Sequence, residues 1–132
     1  MKTRNIYWGI AAILTLGLLA PKTFGWQGSG LDASVARGKT IYNSQCVTFH
    51  REKGEGIKDV YPPLAKSDYL MANKTRSIGI VVNALTGQMT VNGAQYDGEM
   101  LSVDLPDEQV SDVLNYIRNS WGNKGDAIKP EE

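Results

Sequence analysis

The chain has 132 residues, 14 basic and 14 acidic side chains, one cysteine and one histidine. That length suits one small domain, and the absence of any basic run argues against a nucleic-acid partner. A single cysteine excludes an internal disulfide, and one Cys with one His falls short of the ligand set of a zinc site.

Residues 1–25 read as an export leader. Lys2 and Arg4 form a positive n-region, and Ile6 to Ala20 is a 15-residue apolar run before Pro21-Lys22. A run of that length suits a signal-peptide core, whereas a spanning helix wants about 20 residues. No A-x-A cleavage site follows, so the leader is a signal peptide or, as the alternative, an uncleaved N-terminal anchor in the inner membrane. Either way the positive n-region places the domain outside the cytoplasm, periplasmic or membrane-anchored and facing the periplasm. Three basic residues lie in the leader, leaving 11 basic against 14 acidic residues, a net of −3. Residues 26–30 form a linker, of which Gln27-Gly28-Ser29-Gly30 is flexible in composition.

The domain itself spans 31–123. Asp32 is expected to N-cap a helix running to about Gln45, with Val35 and Tyr42 on either side of Gly38. A mid-helix glycine costs about 1 kcal/mol against alanine, so Gly38 needs a packing reason. Directly after comes Cys46-Val47-Thr48-Phe49-His50, one residue short of C-x-x-C-H, the motif that bonds haem covalently and ligates its iron. Phe49 stands where the second thiol belongs. Cys46 and His50 are four residues apart, which on a helical turn puts both side chains on one face. On those five residues alone, a buried cysteine near a histidine is an equal reading. A Cys46 nucleophile with His50 as base lacks an orienting group.

Pro62 and Pro63 mark a rigid turn beyond the histidine. Ile78, Val81, Val82 and Leu85 form an amphipathic stripe ending at Gly87. Asn92-Gly93 is a strong hairpin signal, since both residues tolerate positive φ, and Thr90-Val91 and Gln95-Tyr96 can pair as short strands. Gly98 is expected to let the backbone turn closely past a flat group, and Met100 follows it. Met71 and Met89 read as core filler. Pro106 starts a last helix with Asp107 and Glu108 at its positive end, and Val110, Val113, Leu114, Ile117 and Trp121 form its apolar stripe. Residues 124–132 read as a polar tail, frayed from Asp126 onward.

As a set these stretches resemble class I cytochromes c, and in particular small bacterial monohaem cytochromes c and the cytochrome modules fused to some copper nitrite reductases. The likeness rests on Gly38 to Tyr42, Cys46 to His50, Tyr61 to Leu70, Val91 to Met100 and Val113 to Asn123. It implies an all-α cytochrome c-like fold with a minor β-hairpin around Asn92-Gly93, in which the first and last helices cross closely at Gly38. It further implies one haem c, held by a single thioether through Cys46, with His50 as proximal and Met100 as distal iron ligand. Non-covalent haem is the alternative. A backbone carbonyl of the Pro62-Pro63 turn, assigned to Pro63, would meet the free imidazole N–H. The implied function is to pass single electrons between periplasmic or membrane redox proteins such as reductase or oxidase complexes, with no catalysis of its own. The alternatives are a haem-poor docking module of the same fold and a haem-based gas sensor with Met100 displaced. This chain departs from the pattern at Phe49 and at Leu101, where proline commonly follows the methionine. The sequence leaves the oligomeric state open.

Overall fold

A computed structural model describes residues 30–132, so the expected leader and most of the linker lie outside the described residues. In chain order the elements are α1 (Leu31–Gln45), α2 (Val47–His50), α3 (Asp68–Ala72), α4 (Lys74–Asn83), β1 (Leu85–Val91), β2 (Ala94–Met100) and α5 (Asp107–Arg118). None of the described helices is long and apolar enough to cross a membrane.

The crossing of α1 and α5 organises the domain. A Cβ added at Gly38 would lie 1.9 Å from the Asp112 carbonyl oxygen and 2.8 Å from the Tyr116 Cβ, so only glycine permits this approach. Close backbone contact offsets the helical cost of the glycine. Beside it, Ser34 Oγ donates to Asp112 Oδ1 at 2.6 Å, and Arg37 Nε donates to Asp112 Oδ2 at 2.6 Å. Tyr42, fully buried, packs its ring against Tyr116 at 5.4 Å and Trp121 at 5.1 Å. The N-cap of α1 is Gly30, not Asp32. Asp32 instead sits inside the first turn, where its charge faces the positive end of the helix dipole.

Pro106 caps α5, and Val110, Val113, Leu114 and Ile117 are buried as the stripe implies. The helix stops at Arg118, so Trp121 reaches the core from the following turn, with φ 53°. The polar tail is not frayed. The Asn115 side chain grips the backbone of Ile128, Nδ2 donating to its carbonyl at 2.9 Å and Oδ1 accepting from its N–H at 2.7 Å. Ile128 itself is buried against α5.

The stripe expected to run through Leu85 to Gly87 is cut short. Helix α4 ends at Asn83, Ala84 reverses the chain at φ 72°, and Leu85 and Gly87 belong to β1. Val82 is exposed instead of packed. The hairpin is longer than the two-residue strands expected, with Leu85 opposite Met100 and Val91 opposite Ala94. Its two-residue turn has Asn92 at φ 51° and Gly93 at φ 79°, the conformation that Asn-Gly accommodates. Asp68 and Asn92 exchange side-chain-to-backbone hydrogen bonds at 2.7 and 3.0 Å, pinning the hairpin tip to the start of α3. Gly98 lies inside β2 opposite Gly87 and makes no turn.

Candidate cofactor site

Helices α3, α4 and α5, the hairpin and the α2 turn line an open, apolar cleft. Cys46, His50, Met89 and Met100 all line it, among apolar side chains that include Leu70, Val81, Leu114 and Ile117. The three residues singled out from the sequence, Cys46, His50 and Met100, are therefore brought to one place. Their route there differs. Cys46 caps α2 and His50 ends it, so one short helical turn presents thiol and imidazole to the same space. Met100 arrives from the far end of β2.

His50 is nearly buried, and its Nδ1 lies 3.1 Å from the Pro62 carbonyl oxygen. With the proton on Nδ1 donated to that carbonyl, the lone pair of Nε2 is left facing away from the loop. Burial pushes the His50 pKa down, which favours the neutral, ligating form of the imidazole, and the bond to Pro62 opposes that shift. The carbonyl comes from Pro62, so the assignment to Pro63 is corrected by one residue. The reason lies at Gly56, held at φ 68°, where a Cβ would stand 2.3 Å from the Tyr61 carbonyl oxygen and 2.8 Å from that of Pro62. The loop can fold back over itself there only without a side chain, and that fold aims residue 62 at the ring.

Cys46 is half-buried, and desolvation raises its thiol to about 11. Among the described residues no hydrogen bond joins this protonated thiol to His50, so the pair is poorly suited to nucleophilic catalysis. Phe49 turns outward at 47% exposure and meets Tyr61 edge-on at 5.3 Å. It takes no part in lining the cleft.

Met89, expected as filler, shares the cleft. It sits on the same face of the hairpin as Leu85 and Met100, four residues along β1 from Leu85, or about 13 Å at 3.3 Å per residue. The two thioethers thus enter from different ends of the hairpin. Only the strand register reveals this, and the short strands expected from the sequence conceal it. The wall formed by α3 falls where the resemblance of Tyr61 to Leu70 implies a loop and short helix, with Ser67 as its N-cap. Ser77 Oγ and Arg118 Nη1 both donate to the Leu70 carbonyl, at 2.9 and 3.0 Å, and Arg76 donates to the Tyr69 carbonyl.

The donor set fits a haem. Among the described residues no cluster of three or more His, Cys, Asp or Glu could hold a bare metal ion. One imidazole and one thioether suit an iron whose other ligands come from a macrocycle. Gly87 and Gly98 are paired across the hairpin in the same alternation as Met89 and Met100, and a Cβ on either would meet nothing within 4 Å, leaving open space there.

Comparison with known proteins gives a consistent result. Residues 35–121 match the family model described as cytochrome c. Cytochrome c-552 of Thermus thermophilus is 37% identical over 108 residues, covering 76% of this chain and 72% of the relative. The cytochrome c subunit of a quinone alcohol dehydrogenase from Gluconacetobacter polyoxogenes is 30% identical over 109 residues, covering 79% of this chain but 22% of that subunit.

Proposed function

The chain belongs to the cytochrome c family, and from that premise we propose that it is an exported carrier of one haem c, with Cys46 as the only tether, His50 as proximal ligand and Met100 as distal ligand. Electron carriage on covalent haem is the family's function. The single thioether, the two ligands and the export are this chain's own details.

When bound, the haem supplies an iron that gains or loses one electron. Cys46 would hold the group covalently as a thioether to one vinyl group, a simple addition of S–H that needs no oxidant. His50, fixed by the Pro62 carbonyl, offers a neutral nitrogen in one orientation. Such a partner makes the ligating nitrogen more basic. Met100 offers a soft thioether, which favours the reduced ion and raises the potential. The apolar walls would surround the bound group, and His50 and Met100 together would suit it to electron transfer rather than substrate binding. The protein therefore acts as a carrier, exchanging electrons with other redox proteins or with a redox complex in or beside the inner membrane. The observation that supports this most is the meeting of Cys46, His50 and Met100 in one apolar cleft with the imidazole already oriented.

Carbon monoxide tests the ligand assignment. Met100→Ala is expected to let carbon monoxide bind the ferrous protein, seen in its absorption spectrum, while Met89→Ala leaves it excluded. Equal behaviour of the two variants would defeat the assignment.

A further inference from the structure

Four large apolar side chains are strongly exposed among the described residues: Phe49, Val60, Val82 and Leu101, the last at 71%. Their electrostatic surroundings differ. Phe49 and Val60 flank residues 51–59, where Arg51, Lys53 and Lys58 balance Glu52, Glu55 and Asp59. Val82 and Leu101 lie within residues 77–117, a stretch with no lysine or arginine. That stretch carries Asp97, Glu99, Asp104, Asp107 and Glu108, all exposed, besides Asp112, buried and paired with Arg37.

The fold gathers these residues on the Met100 side. The Val103 N–H donates to the Val81 carbonyl at 2.9 Å, which lays the segment after Met100 along the end of α4, with Leu101 two residues before this bond and Val82 one residue after it in their respective segments. Asp97 and Glu99 alternate with Tyr96 and Met100, so they project from the outer face of the hairpin. Opposite them stand Gln88 and Thr86, which offer no positive charge. Helix α4 ends here with no basic residue in its last turn, so the negative end of its dipole adds to the same face. Asp107 and Glu108 have an ordinary role at the start of α5. Asp97, Glu99 and Asp104 have no such local explanation.

We infer that the acid-ringed Leu101–Val82 face is a docking surface for a redox protein presenting basic side chains around an apolar centre. The inference rests on the electron-carrier reading and adds the partner's chemistry to it. A second copy of this chain would bring like charges together, and an anionic lipid surface would be repelled in the same way. A basic partner gains steering from the ring and burial from Leu101. One electron then passes between the iron and the partner's redox centre, one gaining what the other loses, with no bond made or broken and no proton moved.

The test uses the full-length, haem-loaded ferrous protein in stopped flow with two one-electron oxidants. Tris(phenanthroline)cobalt(III) is a trication with apolar ligand faces, and hexacyanoferrate(III) is a trianion. The triple variant Asp97→Asn, Glu99→Gln, Asp104→Asn is compared with Glu52→Gln, Glu55→Gln, Asp59→Asn, which removes the same net charge from the other side. The first set is expected to slow the cobalt reaction about fivefold at low salt and to speed the hexacyanoferrate reaction. The difference should fade at high salt. The control set should leave both rates near those of the parent. Equal effects from the two sets, or none from either, would overturn the docking face. A dimer in sedimentation that Leu101→Ser abolishes would also overturn it and give the face to a second copy. A starting protein without haem would overturn the electron-carrier reading itself, before any rate is measured.

Discussion

Phe49 occupies the position of a second thiol, yet its ring faces outward onto Tyr61. Phe49→Cys therefore removes little from the core, at a cost of about 1 kcal/mol for the lost ring contact. It is expected to raise the fraction of chains carrying covalent haem. It should also shift the reduced pyridine haemochrome band to shorter wavelength as the remaining vinyl group is saturated. An unchanged band would mean that residue 49 does not reach the porphyrin. Legibility of the site also divides at the level of single residues. Cys46 and His50 are readable together because their spacing acts within one helical turn. Pro62 could not be told from Pro63, because the choice depends on a positive φ at Gly56 and on contacts between backbone atoms, neither of which leaves a periodic trace. Met89 was missed for a similar reason. Its side chain reaches the cleft through the pairing register of the hairpin, and register is set by the partner strand.

Among the elements, the crossing of α1 and α5 gives the sharpest prediction. Gly38→Ala would force a Cβ to within 1.9 Å of a backbone oxygen, with no flexible side chain to give way. The expected loss is about 3 kcal/mol in urea unfolding, typical of overpacking without room to relax. A loss below about 1 kcal/mol would show that the helices can separate at little cost, and the crossing would no longer explain the glycine. Both helices were legible from their stripes and end signals. The boundary of α4 was not. Leu85 extends the helical period of Ile78 and Val81, but Ala84 adopts a left-handed conformation and the chain enters a strand. The hairpin was underestimated because Gly87 and Gly98 sit opposite each other at mid-strand, where glycine ordinarily argues against a strand. In this fold that pair leaves the open space beside the cleft.

Across the whole molecule, one small domain is arranged around an apolar cleft, with charge divided unevenly over its surface. The described domain carries its unbalanced acids beside Met100 and its mixed charges beside His50. The C-terminal segment is held by Asn115 at Ile128, beyond residue 123 where the family resemblance ends. A tail rich in charge conceals one buried isoleucine, and only the amide grip on its backbone reveals the attachment. Length, net charge and the cysteine count were enough to narrow the class of protein. They carried no information about which face meets a partner, because that depends on how residues 77–117 are folded together. Every functional statement requires that this domain form around haem tethered at Cys46. Protein purified from its own host should be run on a denaturing gel stained for haem peroxidase activity, with haem and chain quantified on the same sample. The expected result is a stained band at one haem per chain and no titratable thiol. A colourless chain with Cys46 free to react would contradict it.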